Sequence, residues 1–285
     1  MSMLPIAKSL ALGTIAWSAP LVLAAMGGFT SERSGIINIA LEGKMLTAAC
    51  AGFVCSMVWS NPYLPVLAAI GSATLLSLLH WLLTQKYRLD HVVSGMAINA
   101  IAAGGTNYLN NRFVSIGTSQ IQVLPMTALW AIAYSLPFCL FLYSRYTRGG
   151  LRLFAVGNDP DKSRLLGVQP QRVRLLGLVA TGVFTGLAGA LLFTSAGQFT
   201  EGMTAGKGFI ALAALIIGGW RPLHALAACL AFGFFQAVQL QLQGTKLAGA
   251  DIPAQVFTSL PYIITVVALA GFLGKSKAPA GLGRL

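Results

Sequence analysis

The sequence predicts an all-α fold, a polytopic transmembrane helix bundle of about 8 to 10 spans. Two observations support this prediction. Of the 285 residues, 56% are hydrophobic and only 9% are charged, and the mean hydropathy is +0.74, whereas ordinary soluble domains carry about a quarter charged residues. Apolar runs of about 20 residues, the length that a helix needs to cross the hydrocarbon core, recur from one end of the chain to the other.

Nine apolar runs are the predicted spans. They cover residues 9–29, 44–60, 64–83, 92–109, 125–144, 174–195, 209–219, 222–242 and 258–273. We expect them to form one transmembrane domain over residues 1–285. Whether the N-terminus lies outside or inside depends on the exact number of spans. The first ten residues and the apolar run behind them do not predict a cleavable signal peptide.

The basic residues predict the orientation in the membrane. Seven of the nineteen Lys and Arg residues lie between positions 145 and 174: Arg145, Arg148, Arg152, Lys162, Arg164, Arg172 and Arg174. Cytoplasmic segments of membrane proteins are enriched in Lys and Arg, so we expect residues 145–174 to form a cytoplasmic loop. The formal charge of +12 is therefore a topology signal, and no nucleic-acid partner is predicted.

A short helix with marked ends is predicted inside this loop. Asp159 is placed to be its N-cap, Pro160 suits the first helical position, and Gly167 suits the stop. So short a helix is marginal alone, and Leu165 and Leu166 need an apolar surface to pack on. The helix is either an interfacial linker or a docking helix for a cytosolic motor, and we favour docking.

The first polar interruption of the apolar pattern covers residues 29–44 and contains two ion-pair candidates. Charges at membrane depth are costly and usually face a cavity or a partner. Asn38 and Glu42 are four residues apart and share one face if the stretch is helical. One interpretation is an ordinary loop in which Ser34 or Asn38 caps the next helix. For the whole segment we favour a broken or re-entrant helix that lines a pathway.

A second interruption, residues 199–212, also starts with Phe-Thr and carries charges and glycines, among them Glu201 next to Met203. Matching irregular helices in two halves are typical of transporters. The sequence therefore suggests two pseudo-repeated halves, although chance similarity is an alternative.

Small residues predict close helix packing along two spans. They are Gly177, Thr181, Gly182, Thr185, Gly186 and Gly189 in one span, and Gly95, Ala97, Ala100, Ala103 and Gly104 in the other. Thin helix faces allow close approach. Asn99 and Asn107 are eight residues apart on one face of the second of these helices, where they are interhelical hydrogen-bond partners or substrate ligands.

No catalytic or metal-binding motif is found in the sequence. Cys50, Cys55, Cys139 and Cys229 lie within apolar runs without paired spacing, and we expect them to be buried packing residues. The three His residues are scattered. No phosphate-binding loop or nucleophile motif occurs, so the chain is not predicted to be an enzyme.

Three sequence blocks together resemble the membrane permease of a bacterial ABC importer. They are residues 31–43, residues 157–168 and residues 202–214. The resemblance covers nearly the whole chain. The chain most resembles the branched-chain amino acid and ribose permease superfamily. Within that superfamily it most resembles the nucleoside branch, whose members are served by basic-membrane-protein type lipoproteins. Lys162, Ser163 and Arg164 depart from the family, which usually has small uncharged residues there.

The resemblance implies a multi-pass protein of the bacterial inner membrane that works with partners. These are a second, often different permease subunit, a cytosolic ABC ATPase that binds ATP, and an extracytoplasmic substrate-binding protein; this chain itself binds no cofactor. Coupling to the ATPase is expected from Gly157, Asn158, Asp159, Pro160, Arg164, Leu165, Leu166 and Gly167. The translocation pathway is expected to include Asn38, Glu42, Asn99, Asn107, Glu201 and Met203.

Alternatives to nucleoside import remain open at the level of sequence. Sugars, an autoinducer, riboflavin-like compounds and branched-chain amino acids are possible substrates within the superfamily. An ion-coupled secondary transporter could use Glu32, Glu42 or Glu201 as its ion site. A membrane scaffold without transport activity is a third possibility.

Overall fold

The computed structural model describes residues 3–113, 124–242, 246–247, 250–251, 263 and 278–284. The helices are α1 (Met3–Glu32), α2 (Leu41–Val58), α3 (Leu64–Trp81), α4 (His91–Phe113), α5 (Met126–Tyr146), α6 (Arg148–Asn158), α7 (Pro160–Leu165), α8 (Pro170–Ala196), α9 (Lys207–Ile217) and α10 (Pro222–Leu242). A π-helical turn, Leu82–Lys86, extends α3. Two short strands, β1 (Lys246–Leu247) and β2 (Ala250–Asp251), pair antiparallel with Leu247 opposite Ala250. The described residues are otherwise helical or irregular, which confirms the predicted helical class.

Six helices among the described residues are long and apolar enough to cross a membrane. They are Ala7–Glu32, Leu41–Val58, Leu64–Lys86, Met126–Tyr146, Pro170–Ala196 and Pro222–Gln241. With 23 residues α4 is also long enough, but it is less apolar. The predicted span 209–219 is wrong as a complete crossing, because the 11 residues of α9 reach only about 16 Å. The predicted span 258–273 lies outside the described residues apart from residue 263.

Helix α8 lies at the centre of the bundle and joins two hydrophobic clusters. One cluster surrounds α1 and includes residues of α5, α8, α9 and α10, with Phe29 fully buried in it. The other lies between α2, α3 and α8 and contains the fully buried Phe193. Because α8 contributes to both clusters, it holds the two sides of the bundle together.

The small residues of α8 permit this central position, as predicted. A Cβ atom added at Gly182 would lie 2.5 Å from Thr74 Cα, and one at Gly189 would lie 2.5 Å from the Met45 carbonyl oxygen. At Gly177, an added Cβ would lie 2.7 Å from the Thr30 carbonyl oxygen. Three neighbouring helices therefore approach the α8 backbone more closely than any side chain would allow.

The same prediction is only partly correct for α4. Gly95 packs against Ile39 and Ala40 at the start of α2. Gly104 has no neighbour within 4 Å of an added Cβ atom. Ala97, Ala100 and Ala103 are exposed. Only one side of α4 contacts α2, so the small residues on its other sides form an outward face.

The outer surface of the bundle is apolar where helices face away from the core. Phe138 and Leu142 on α5 are both exposed. Cys139 between them is also exposed, so its predicted burial is wrong, whereas Cys50, Cys55 and Cys229 are buried as expected. Exposed apolar side chains on a helix of this length suit contact with lipid.

We predict that Gly186→Ala destabilises the bundle. The new Cβ atom would lie 2.5 Å from Ile70 Cα and 3.0 Å from the Ala69 carbonyl oxygen, so α3 must move away from α8. Overpacking of this kind costs about 1–3 kcal/mol. Gly71→Ala on α3 is the control, because no atom lies within 4 Å of that position. Thermal unfolding in detergent should show a lower midpoint for Gly186→Ala alone, and equal midpoints would contradict the packing.

Candidate functional site

The candidate site is built around the break between α1 and α2, residues 33–40. Helix α1 ends at Glu32, and Gly35 adopts φ +98°, which turns the chain away from the helix axis. The Glu32 carboxylate is buried and accepts hydrogen bonds from Trp220 Nε1 at 2.5 Å and from the Asn38 backbone N–H at 3.4 Å. The adjacent Arg33 donates from Nε to the Trp220 carbonyl oxygen at 2.9 Å. Two consecutive residues, the last of α1 and the first of the break, therefore bind Trp220.

A buried network of polar side chains closes the inner side of the break. Lys44 and Asn38 are fully buried, and Lys44 Nζ donates to Asn38 Oδ1 at 3.1 Å. Lys44 Nζ also lies 3.4 Å from His80 Nδ1 on α3, and Asn38 Nδ2 donates to Ser31 Oγ at 3.0 Å. Asn38 of the break is thus tied through side chains to α1, α2 and α3.

The structure does not show three features that the sequence allowed for this segment. Helix α2 has Ala40 at its N-cap without a side-chain hydrogen bond, so neither Ser34 nor Asn38 is the cap. Because α2 begins at Leu41, Asn38 lies outside the helix and does not share a helical face with Glu42. The two candidate ion pairs are also absent among the described residues, since the acidic and basic side chains of residues 29–44 bind other groups.

Glu42 connects the first interruption to the second. Its Oε1 accepts the Gly206 N–H at 2.8 Å and its Oε2 accepts the Gly208 N–H at 2.6 Å. These groups lie at the N-terminus of α9, where backbone N–H groups have no helical partner and the helix dipole favours negative charge. Gly206, at φ +79°, is the N-cap and has no side chain to cap the helix. Glu42 therefore caps α9 from α2.

The other predicted pathway residues occupy different environments. Asn99 donates to the Ile39 carbonyl oxygen at 3.0 Å and accepts the Gly43 N–H at 2.8 Å, so it holds α4 against the start of α2. Asn107 is exposed and accepts from Asn111 of its own helix. The structure thus brings Asn99 next to the break and leaves Asn107 about 12 Å further along α4.

The second interruption carries the last two pathway candidates. Glu201 is exposed in the turn before α9. Met203 is half-buried and packs against both hydrophobic clusters. Both residues lie in the turn whose end is held by Glu42.

The predicted short helix is present as α7. Asp159 Oδ1 accepts the Lys162 N–H at 3.0 Å, and this backbone hydrogen bond lowers the pKa of the Asp159 carboxyl. Pro160 is the first helical residue, and Gly167 ends the turn at φ +79°. Leu165 is 87% exposed and Leu166 is 82% exposed, so α7 presents an apolar pair away from the bundle.

Residues 157–167, the predicted coupling segment, contact the break on the side away from Leu165 and Leu166. A Cβ atom at Gly157 would overlap the Arg33 carbonyl oxygen, so only glycine allows this approach. In the C-terminal tail, residues 278–284, the Gly281 N–H donates to the Gly157 carbonyl oxygen at 2.9 Å. The Gly283 N–H donates to the Gly35 carbonyl oxygen, also at 2.9 Å. The tail therefore joins the coupling segment to the break.

Arg174 on α8 binds both the break and the C-terminal tail. Although it is counted among the cytoplasmic charges of the sequence, it is buried. It donates to the carbonyl oxygens of Ser34 at 3.4 Å and Arg284 at 2.9 Å, and to Gln85 Oε1 at 2.7 Å.

Sequence reasoning missed several residues that build this site: Arg33, Lys44, His80, Arg174 and Trp220. Lys44 and Arg33 carried a usable signal, because each is a charge beside an apolar span. Trp220 carried none, since its partner Glu32 is 188 residues away. Among the described residues, no three His, Cys, Asp or Glu side chains cluster where they could hold a metal ion.

Comparisons with known proteins agree with this architecture. A family described as the permease component of branched-chain amino acid transport systems matches residues 10–269. The guanosine ABC transporter permease protein NupQ of Bacillus subtilis (strain 168) is 34% identical and aligns over 95% of this chain and 93% of its own. The nucleoside ABC transporter permease protein NupC of Lactococcus lactis subsp. cremoris (strain MG1363) is 33% identical over 94% of this chain and 93% of its own.

A solved structure supports the fold. A metal-chelate type ABC transporter in an inward-facing conformation matches with a TM-score of 0.55 over 95% of this chain and 90% of that chain, at 14% identity. At this identity the match concerns the fold alone. Membership follows from the sequence matches: the chain belongs to the family of permease components of branched-chain amino acid transport systems, which are multi-pass membrane proteins.

Proposed function

We propose that this chain is the permease subunit of an ATP-driven importer that carries nucleosides across the bacterial inner membrane. The observation behind the choice of substrate is that two relatives, each about a third identical over more than nine tenths of the chain, are permeases for guanosine and for nucleosides. The family match alone leaves sugars, riboflavin-like compounds and branched-chain amino acids open.

The proposed assembly contains a second permease subunit, a cytosolic ABC ATPase that binds the ATP, and an extracytoplasmic substrate-binding protein. The outward face of α4 supports the second permease, because Gly104 and Gly105 have open space where a side chain would lie. Such small residues let another membrane helix approach closely. A different chain as the second subunit is the arrangement that the family resemblance favours.

In this proposal the coupling segment carries the motion of the ATPase into the membrane. Leu165 and Leu166 would fill an apolar groove on the ATPase, while Gly157 on the opposite side touches the backbone of Arg33. Displacement of α7 would then move the end of α1, and with it Trp220. The tail's hydrogen bonds to Gly157 and Gly35 would keep the two sides moving together.

For the pathway we propose two roles among the predicted residues. Asn38, Glu42 and Asn99 would shape the frame around the start of α2, because their polar atoms are engaged by neighbouring groups. Glu201 and Asn107, which are exposed, would be available to a passing solute, with Met203 beside Glu201. A neutral, amphipathic nucleoside needs apolar contacts and only a few well-placed polar groups.

The ion-coupled alternative is less well supported. Glu32 and Glu42 each accept two N–H hydrogen bonds, from Trp220 and Asn38 in one case and from the start of α9 in the other. Carboxylates that accept two N–H hydrogen bonds connect parts of the fold, and their oxygens are not free to bind an ion. Glu201 is exposed and has no ion pair within the described chain.

We predict that nucleosides stimulate the complete transporter. In proteoliposomes containing this chain, its partner permease, the ATPase and the substrate-binding protein, guanosine should raise ATP hydrolysis several-fold and drive ATP-dependent uptake. Glucose and leucine serve as controls. Stimulation by leucine or a sugar without any by nucleosides would reject the proposed substrate while leaving the ATP-driven mechanism standing.

The docking proposal is tested by the double variant Leu165→Asp/Leu166→Asp. Two unpaired carboxylates in an apolar contact should weaken ATPase binding by at least about 3 kcal/mol, over a hundredfold, with loss of uptake. The control is Val58→Asp/Trp59→Asp, which changes an exposed apolar pair at the end of α2, about 25 Å along that helix from the break. The measurement is co-purification with the ATPase; full retention in the Leu165/Leu166 variant would contradict docking.

The role of Glu42 is tested by Glu42→Gln, with Glu201→Gln as the matched control. An amide leaves one acceptor oxygen and removes the charge at the N-terminus of α9, so we expect about 2 kcal/mol lower stability and slower uptake. Glu201→Gln should leave the thermal unfolding midpoint unchanged. If Glu42→Gln keeps the midpoint and only abolishes uptake driven by an ion gradient, the ion-coupled alternative is correct.

A further inference from the structure

A half-open pocket of about 520 Å³ lies between the end of α5, the start of α6 and the first turns of α8. Much of its wall is apolar and consists of Leu140, Leu153, Val168, Val173, Leu176 and Ala180. Gly177 and Thr30 also line it, and Thr30 comes from the last turns of α1. The transport cycle proposed above does not involve this pocket.

Two arginines line the same pocket without an acidic partner. Arg152 lies on α6 and Arg172 at the start of α8, and no Asp or Glu is among the lining residues. Among the described residues, neither arginine takes part in an ion pair or a side-chain hydrogen bond. The contrast is with Arg164, which pairs with Asp161 at 3.9 Å. The pocket therefore carries two uncompensated positive charges and suits an anionic ligand.

The charged and apolar parts of the pocket are arranged along the axis of α8. Arg172 lies in the first turn of α8, whereas Ala180 lies ten residues from the first residue, Pro170, about 15 Å along the helix. The positive-inside rule places the arginine end at the cytoplasmic boundary. The apolar wall then runs from this boundary into the hydrocarbon region.

This arrangement distinguishes between classes of ligand. A soluble anion would bind the two arginines and would leave the apolar wall of the pocket without a contact. An apolar peptide would cover the wall and leave the two arginines, which are exposed, without an anionic partner. A phospholipid has both parts, a phosphate at the boundary and acyl chains below it, and basic pockets between transmembrane helices on the cytoplasmic side are suited to anionic headgroups.

We infer that this pocket binds an anionic phospholipid. Its phosphodiester contacts Arg152 and Arg172, and one acyl chain lies along α8 toward Ala180. Gly167 and Val168, at the end of the coupling segment, also line the pocket, so the bound lipid lies next to the coupling segment. The inference rests on the membrane position of the chain and not on the proposed substrate.

The test is native mass spectrometry of the complete transporter after incubation with mixed phosphatidylglycerol and phosphatidylcholine. Wild type should retain phosphatidylglycerol in preference to phosphatidylcholine. Arg152→Gln/Arg172→Gln should reduce that retention about tenfold or more. Arg145→Gln/Arg148→Gln is the control, because it removes the same charge from the same end of the bundle outside the pocket. Equal retention in the two double variants would overturn the inference.

A second variant tests the acyl chain. Ala180→Phe fills the deep end of the pocket and should weaken retention of phosphatidylglycerol while both arginines remain. Wild type should keep its lipid in the presence of millimolar glycerol phosphate. Release of the lipid by glycerol phosphate, or a folded Ala180→Phe variant with unchanged lipid retention, would instead indicate a soluble-anion site and overturn the proposal.

Discussion

The structure depends on how the backbone N–H and C=O groups at an interruption between two helices find hydrogen-bond partners inside a membrane protein. Between α1 and α2 the helix is interrupted over residues 33–40, most of which are buried, and unpaired backbone groups are costly when they are buried. Side chains from three helices pair with its backbone: Glu32 of α1 accepts the Asn38 N–H, His91 of α4 accepts the Ile37 N–H, and Arg174 of α8 donates to the Ser34 carbonyl oxygen. The break keeps one shape because these partners come from several helices, so movement of any of those helices must act on it.

The arrangement of the two interruptions follows from the same constraint. The N-terminus of α9 needs a partner for its free N–H groups, and glycine at its N-cap supplies none. Glu42 provides both acceptor oxygens from the first turn of α2. On the other side of the break, Gly157 and the tail glycines Gly281 and Gly283 bring the coupling segment into backbone contact with it. Direct contacts thus connect the exposed helix α7, the break and the start of α9.

Local patterns were sufficient for much of the fold. Composition and apolar runs indicated a helical membrane protein, because the requirement for an apolar helix acts on each span separately. The ends of α7 were predictable since Asp159, Pro160 and Gly167 act within a few residues of one another. The thin face of α8 was predictable because small residues at helical spacing permit close approach to any neighbour. None of these inferences needed to know which helix lies next to which.

What the sequence by itself determined is therefore the helical membrane class, the capped helix α7 and the small-residue face of α8. Only the tertiary structure decided the partners of the charged residues: Glu32 with Trp220, Glu42 with the start of α9, and Lys44 with Asn38 and His80. The expected pairing of neighbouring charges was wrong because acceptors far away in sequence lie closer in space. A side chain's partner depends on how helices pack, and spacing along one helix does not specify that packing.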